Sequence, residues 1–274
     1  MIALLRHIWN TSPKGLATEL RLKLSRIRSN VPEEARLKRI ARFVPGETKL
    51  LGATVRYADA PSYIFMRDEI FESEIYRFQS DSPEPRIIDC GANIGLSAIY
   101  FKMIHPNCTL VCFEPDPTIF TILQENVVTF GLSKVTLYNA ALWERETTVP
   151  FTREGADGGC IDASTSGSLS AHVTATTLSQ HLNQPVDFLK IDIEGAEAVV
   201  LEECRAYLVN VKRMFLEYHS AQDETQQLGR ILDILTEAGF RYYIEHIGVT
   251  SRHPFVSRQA YNGFDNQLNI YAYR

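Results

Sequence analysis

The chain has 274 residues, of which 45% are hydrophobic, 22% are charged and 10% are aromatic. These proportions are typical of a globular protein with a sizeable core. No stretch approaches the ~20 consecutive apolar residues that a transmembrane helix needs. Residues 1–10 are too short and too interrupted by charge for a signal peptide. A cytoplasmic location is therefore expected.

The net charge of −5 is unevenly distributed along the sequence. Residues 1–50 carry seven more Lys and Arg than Asp and Glu, so the remainder of the chain is strongly acidic. This basic arm could support a homodimer, contact an anionic membrane peripherally, or form a solvated helical face. Nucleic-acid binding is not expected, because the main domain is acidic and the arm lacks interleaved aromatic residues.

The five cysteines are odd in number, and none lies in a CxxC pair. This pattern argues against both a disulfide framework and a structural zinc site. Cys90, Cys108 and Cys112 lie among apolar residues and are predicted to be buried small hydrophobic side chains.

In chain order, residues 1–80 are predicted to form a helical or mixed N-terminal extension. Apolar residues recur at helical spacing over 16–27, and Pro32 suits the first turn of a second helix. The polar, proline-containing segment 80–85 is predicted to be a linker, and the main domain is expected over residues 81–274.

Predicted strands and helices alternate after this linker. Short β-branched runs are separated by helical patterns, and the last two strands alternate evenly enough to suit antiparallel pairing. The predicted strands cover residues 86–90, 109–114, 135–138, 186–193, 213–219, 240–247 and 268–273. The predicted helices cover residues 96–104, 118–130, 196–208 and 225–238. This alternation predicts a doubly wound α/β fold with a mostly parallel sheet whose central strands are buried on both faces.

Residues 151–177 interrupt the alternation. The segment is rich in Gly, Ser, Thr and Ala and has few large apolar residues. Long irregular loops inside compact domains are uncommon and are often lids or binding loops. The segment is therefore predicted to cover a bound substrate, with Arg153 and His172 as candidate contacts. A disordered or decorative insertion is the alternative.

The segment 89–95 (DCGANIG) lies directly between a predicted strand and a predicted helix, where open α/β sheets bind ligands. Its glycines permit a tight turn and close approach of a ligand. A dinucleotide fingerprint needs glycines at the first, third and sixth positions, but counting from Gly91 these hold Asn93 and Leu96. The initial acid suits the ammonium group of S-adenosylmethionine (SAM) better than a pyrophosphate. The candidate binding residues here are Asp89, Gly91, Ala92, Asn93 and Gly95.

Two later positions extend this candidate site. Glu114 ends the second predicted strand, where an acid can accept hydrogen bonds from both ribose hydroxyls. Asn139 and Ala140 follow the third strand, where a small side chain leaves room for adenine and the amide could bond its edge. A lone acid at a strand end is usually solvated, so the interpretation depends on the combination with segment 89–95.

A cluster of charged residues follows the fourth and fifth predicted strands. Lys190, Asp192 and Glu194 would share one face if the fourth strand continued through them. Charged groups on an otherwise apolar strand are costly to bury unless they are paired. Glu217 and His219 end the next strand and are expected beside them, although Glu194 could also serve the amino end of the following helix.

Such a cluster suits transfer of a methyl group from a sulfonium to an oxygen, a reaction that needs alignment and a proton acceptor. Asp192 or His219 is predicted to accept the proton, while Lys190 and Glu217 set charge and orientation. In the alternative, Asp192 and Glu217 hold Mg²⁺, which lowers the pKa of the acceptor hydroxyl. The sequence leaves both open.

Four motifs in this order, IIDCGANIGLSAIYF, FEPDP, NAALWE and LKIDIEGAE, resemble the FkbM family of SAM-dependent methyltransferases over about residues 65–245. The resemblance implies a class I methyltransferase (Rossmann-like) fold, with a seven-stranded mixed sheet of order 3-2-1-4-5-7-6 and an antiparallel seventh strand. It also implies O-methylation of a hydroxyl on a small molecule, sugar or glycoconjugate. For residues 1–60 it implies nothing.

Two other functions fit the sequence less well. A nicotinamide-dependent oxidoreductase could use a similar sheet, but the glycine spacing argues against it. A non-catalytic SAM-binding scaffold is the other alternative, and the intact acids at Asp89, Glu114 and Asp192 argue against it.

Overall fold

The computed structural model describes residues 31–152, 159–161, 170–261 and 263–274. The α-helices are α1 (Val31–Leu37), α2 (Ala60–Arg67), α3 (Leu96–Ile104), α4 (Pro117–Thr129), α5 (Glu197–Cys204) and α6 (Leu228–Glu237). The strands are β1 (Gly46–Leu50), β2 (Ala53–Tyr57), β3 (Arg86–Cys90), β4 (Thr109–Phe113), β5 (Val135–Tyr138), β6 (Ala141–Leu142), β7 (Thr147–Thr152), β8 (Cys160–Ile161), β9 (Ser170–Thr176), β10 (Phe188–Ile191), β11 (Arg213–Ala221), β12 (Arg241–Ile247) and β13 (Phe264–Tyr273). Among the described residues, no helix combines the length and the apolar character that crossing a bilayer requires.

The central sheet has seven strands in the order β12-β13-β11-β10-β3-β4-β5. The five strands β11, β10, β3, β4 and β5 run parallel to one another, and β13 lies between β11 and β12 and is antiparallel to both. In chain order within this sheet, the arrangement is 3-2-1-4-5-7-6 with an antiparallel seventh strand. The fold prediction is therefore confirmed.

The central strands are buried on both faces. Ile87 of β3 and its partner Phe188 of β10 pack into the same core cluster as α3 and α4. The next pair, Ile88 and Leu189, points to the other face and packs with α5 and α6. Because successive side chains alternate between two covered faces, both strands read as continuous apolar runs.

The thiols predicted to be buried are buried. Cys90, Cys108 and Cys112 are fully buried free thiols, and Cys204 has the same environment. Burial raises the pKa of the Cys90 thiol well above its usual range, as expected for an unreactive packing residue.

The described part of the N-terminal extension packs onto the sheet. It contains α1, the β1–β2 hairpin, α2 and a π-helical turn at Asp68–Glu72. Its side chains share one core cluster with α3 and α4. The buried Asn126 of α4 fixes the hairpin, because its amide exchanges hydrogen bonds of 2.8 and 2.9 Å with the backbone of Arg56. The helical pattern over 16–27 lies outside the described residues.

The fourth strand of the sheet is shorter than predicted. It ends at Ile191, two residues before the predicted end. Glu194 and Gly195 have φ angles of +54° and +101°, which break the extended backbone. Asp192 follows the end of the strand, with its backbone N–H still bonded to the carbonyl of Cys90, and Glu194 lies in a turn. The prediction that all three residues share one strand face is therefore wrong.

The segment between the third and fourth sheet strands contains more regular structure than predicted. β7 and β9 pair antiparallel over Thr147–Thr152 and Ser170–Thr176, and β6 and β8 complete a separate four-stranded sheet. Alternating small apolar residues on β9, such as Val173, pack with Phe151. Their small size hid the strand pattern. Residues 153–158 and 162–169, including Arg153, lie outside the described residues.

Candidate active site

A cavity of about 650 Å³ lies at the carboxyl ends of the central strands. Its wall includes groups that follow β3, β4 and β10, together with residues of β11. Of the positions singled out in the sequence, the wall contains Gly91, Ala92, Asn93, Glu114, Ala140, Lys190, Asp192, Glu194, Glu217 and His219. Open α/β sheets bind their ligands at this edge.

The loop after β3 is shaped by residues with left-handed backbone conformations. Gly91, Asn93 and Gly95 have φ angles of +83°, +48° and +89°. A Cβ atom on Gly91 would lie 1.9 Å from the backbone oxygen of Asp192. This glycine is therefore required for packing between two turns, in addition to the close ligand approach that the sequence suggested.

A buried ion pair supports this loop from below. Asp89 is fully buried and does not line the cavity. Its carboxylate accepts a 2.5 Å hydrogen bond from the Ser97 hydroxyl and lies 3.3 Å from the Lys190 ammonium. That ammonium also donates a 2.7 Å hydrogen bond to the backbone oxygen of Gly91. Burial alone would lower the pKa of Lys190, but Asp192, Tyr76 and Asp89 raise it well above its usual range.

Glu114 faces the cavity from the end of β4 and is only 6% exposed. One of its oxygens accepts a 3.0 Å hydrogen bond from the backbone N–H of Asn93, and the other accepts a 2.8 Å bond from that of Asp116. Burial raises the pKa of Glu114 to about 8, and the two N–H donors partly oppose this effect. A carboxylate has about four acceptor sites, so capacity remains for hydroxyl donors from the cavity.

Asn139 and Ala140 occupy different environments. Ala140 is buried and lines the cavity. Asn139 is exposed and is not part of the cavity wall. Its amide donates hydrogen bonds of 2.8 and 3.0 Å to the backbone oxygens of Glu114 and Pro115, which secures the end of β4.

Three glutamates surround His219, whose side chain is only 1% exposed. The imidazole Nδ1 lies 3.1 Å from Glu197, and Nε2 lies 3.3 Å from Glu217 and 3.5 Å from Glu194. Burial alone would lower the pKa of His219, but the three carboxylates raise it well above its usual range. Burial also raises the pKa of Glu217, and raises that of Glu194 strongly. Both ring nitrogens are therefore engaged within the cluster.

Asp192 is the most accessible carboxylate of this group. Its side chain is 24% exposed, against 19% for Glu194 and 15% for Glu217. It lines the cavity, and its carboxylate lies 3.3 Å from the Lys190 ammonium. Among the described residues, potential ligand atoms of Asp192, Glu194 and His219 all lie within 4.8 Å of one another, so this trio could hold a metal ion.

The rest of the wall comes from segments that the sequence analysis did not assign to the site. Before β3, these include residues of α2 and the stretch that follows it, and after β11 they include residues at the end of β12 and in β13. The main examples are Met66, Tyr76, Phe264 and Gln267. Only tertiary packing brings them to the cavity, and no local pattern in the sequence identifies them. His172, a predicted contact, is exposed and lies outside the wall.

The family model for the Methyltransferase FkbM domain matches residues 89–242, which is more than half of the chain. The chain belongs to the FkbM methyltransferase family. It is accordingly a SAM-dependent methyltransferase, and the family resemblance inferred from the four motifs is confirmed.

Two curated relatives carry more specific names. The 2-O-methyltransferase NoeI of Sinorhizobium fredii is 25% identical over 178 residues, which cover 57% of this methyltransferase and 72% of NoeI. The 31-O-demethyl-FK506 methyltransferase FkbM of Streptomyces tacrolimicus is 35% identical over 79 residues, or 28% of this methyltransferase and 30% of that protein. The second match therefore concerns less than a third of either protein.

A solved structure shows the same fold. The crystal structure of methyltransferase FkbM from Methylobacillus flagellatus aligns with 73% of this methyltransferase at 21% identity and a TM-score of 0.50. The alignment covers 46% of that protein, so this methyltransferase spans about half of its length.

Proposed function

We propose that this methyltransferase acts on oxygen, and that its acceptor is a hydroxyl of a small molecule, sugar or glycoconjugate. One observation carries the proposal: the cavity that contains Glu114 is also lined by three carboxylates, a lysine and a histidine. These are Asp192, Glu194, Glu217, Lys190 and His219. The names of NoeI and the Streptomyces FkbM relative indicate O-methylation in those proteins, which supports the proposal.

The donor site that we propose uses the loop after β3, Glu114 and Ala140. Glu114 would accept hydrogen bonds from ribose hydroxyls, Ala140 would leave space for adenine, and the loop would bring backbone groups close to the donor. Bound SAM supplies a methyl group already activated by the sulfonium. Asp89 supports this loop through Ser97 and Lys190, and direct contact of Asp89 or Asn139 with the donor stays a prediction.

Calorimetry tests the donor site without knowledge of the acceptor. SAM is expected to bind, NAD is not, and Glu114→Ala should weaken SAM binding about tenfold or more because the hydrogen bonds from the ribose hydroxyls are lost. Glu224→Ala, at an exposed acid, is the control and should bind SAM normally. Binding of NAD in place of SAM would overturn the proposal. SAM binding without methyl transfer to a broad panel of hydroxylated acceptors would favour a scaffold.

We place the proton acceptor at Asp192. The acceptor oxygen would form a bond to the methyl carbon as the carbon–sulfur bond breaks, and the hydroxyl proton would pass to the Asp192 carboxylate. His219 is a weaker candidate, because its side chain is 1% exposed and both nitrogens already face carboxylates. In this arrangement Lys190 holds Asp192 against the loop after β3.

A metal ion is the second candidate for activating the hydroxyl. The geometry favours Asp192, Glu194 and His219 as its ligands over the predicted pair of Asp192 and Glu217. The contact of Glu197 with Nδ1 would orient the imidazole with Nε2 toward the ion. A ligand set with one nitrogen suits Mn²⁺ or Zn²⁺ as well as Mg²⁺. Full activity in the presence of a chelator would exclude this candidate.

The segment between β7 and β9 is proposed to cover the acceptor. Phe151, Gly159 and Ile161 line the cavity at the described ends of this segment. Replacing residues 153–158 and 162–169 with short linkers is expected to raise the KM of the acceptor more than the Kd of SAM. Steady-state kinetics and calorimetry measure the two effects, and equal changes in both would contradict a role over the acceptor.

Three predictions about the surroundings of the enzyme stay predictions. They are a cytoplasmic location, a homodimer, and contact of the basic arm with a membrane. The first 30 residues of that arm lie outside the described part of the chain.

A further inference from the structure

The segment between β12 and β13, residues 248–263, is called here the C-terminal loop. The family match ends at residue 242, so this loop lies outside it. Gly248 and Val249 at its beginning and Tyr261 near its end line the cavity. Both ends of the loop therefore lie at the active site.

The tip of the C-terminal loop exposes two apolar side chains. Phe255 is fully exposed and Val256 is 86% exposed. The tip is a formed turn, because the backbone N–H of Val256 donates a 2.9 Å hydrogen bond to the carbonyl of His253. Adjacent exposed side chains of this size, presented on a closed turn, indicate a binding surface more than a random surface position.

The base of the tip is positively charged. Arg252 and Arg258 flank the apolar pair and are both exposed. Residues 248–263 contain no acid, although the chain beyond residue 50 is strongly acidic. In the described part of the chain neither arginine forms an ion pair. A local excess of positive charge on an acidic body complements a negatively charged surface.

We propose that the C-terminal loop docks the enzyme on an anionic lipid bilayer, with Phe255 and Val256 inserted at the headgroup level and Arg252 and Arg258 contacting lipid phosphates. An apolar tip bordered by arginines is typical of segments that bind in the membrane interface. Two side chains are too small an area for a stable protein interface, which buries about 800 Å² per partner. Because both ends of this loop line the cavity, docking would hold the active site close to the bilayer.

Vesicle flotation with the full-length protein tests this inference. Wild type is expected to bind phosphatidylcholine vesicles that contain phosphatidylglycerol, and to bind pure phosphatidylcholine more weakly. The double variant Phe255→Ser, Val256→Ser should bind at least about tenfold more weakly, because the inserted apolar area is lost. Arg252→Ala and Arg258→Ala should each weaken binding about fivefold, and only with anionic vesicles.

The matched control is Val209→Ser. Val209 is 70% exposed and lies in the 3-10 turn before β11, at the opposite edge of the sheet from the cavity. It should leave vesicle binding unchanged.

An equal loss of vesicle binding in the control and in the double variant, or no vesicle binding by wild type, would overturn the inference. It would also be overturned if wild type were a dimer that the double variant dissociates, without vesicle binding. SAM calorimetry on each variant separates these outcomes from failure of the proposed function, because Phe255 and Val256 lie outside the cavity wall.

Discussion

Gly91→Ala is expected to reduce SAM affinity on the order of 100-fold. The loop would lose two or more hydrogen bonds to SAM, each contributing about 1 to 1.5 kcal/mol. An alanine Cβ would sit 1.9 Å from the backbone oxygen of Asp192, which is far inside van der Waals contact. Backbone atoms on both sides define the clash, so no side-chain rotation can relieve it. The loop must move away from the turn after β10.

Gly52→Ala is the control for this variant. Gly52 has a φ of +85°, close to the +83° of Gly91, but an added Cβ there would meet no atom within 4 Å. Both variants carry the same left-handed strain of about 1 to 2 kcal/mol, and only one carries the clash. Thermal unfolding and SAM calorimetry should show a larger effect for Gly91→Ala on both measures. Equal SAM affinity in the two variants would show that the loop after β3 does not contact the donor.

The order of elements in the main domain was predictable because it is encoded locally. Strands buried on both faces appear in the sequence as apolar runs, and the helices between them have apolar residues at helical spacing. The end of β10 was not predictable in this way. Glu194 adopts a φ of +54°, a left-handed conformation that a glutamate rarely takes.

The site was predictable where its residues follow strand ends, and not where they come from distant segments. Glu114 and Asp192 could be placed at the cavity because parallel strands end at one edge of the sheet. Tyr76 and Gln267 reach the same cavity only through packing of the N-terminal extension and β13. The role of Asp89 was not predictable from the motif. Its side chain lies beneath the loop because it contacts Ser97 and Lys190, and the sequence does not show these contacts.

Together these contacts divide the acids of the site by environment. Asp89 and Glu197 are fully enclosed and bind other protein groups, so they position the loop and His219. Asp192 has the largest exposed fraction in its cluster and faces the cavity. Asp192 is therefore the acid that is expected to act on the substrate, because neighbouring protein groups bury it least.

Asp192→Asn tests that expectation and is expected to lower kcat by about 10²- to 10⁴-fold, which is the usual contribution of a positioned base. Asparagine preserves the shape of the side chain and removes its ability to accept the proton. SAM affinity should change much less than kcat, since the proposed donor contacts lie at Glu114 and the loop after β3. Transfer of a labelled methyl group from SAM to a reactive acceptor, measured with and without a chelator, provides the readout.

The comparison variant is Glu69→Gln, which neutralises an acid in the same cavity wall but outside the cluster around His219. It should keep kcat within about threefold of wild type, because Glu69 lies apart from the proposed proton acceptor.

If wild type keeps full activity in the chelator and Asp192→Asn does not, Asp192 acts as the base. If the chelator alone abolishes wild-type activity, Asp192 acts as a metal ligand with Glu194 and His219. Near-normal turnover by Asp192→Asn would contradict both roles, because each requires the carboxylate that the substitution removes.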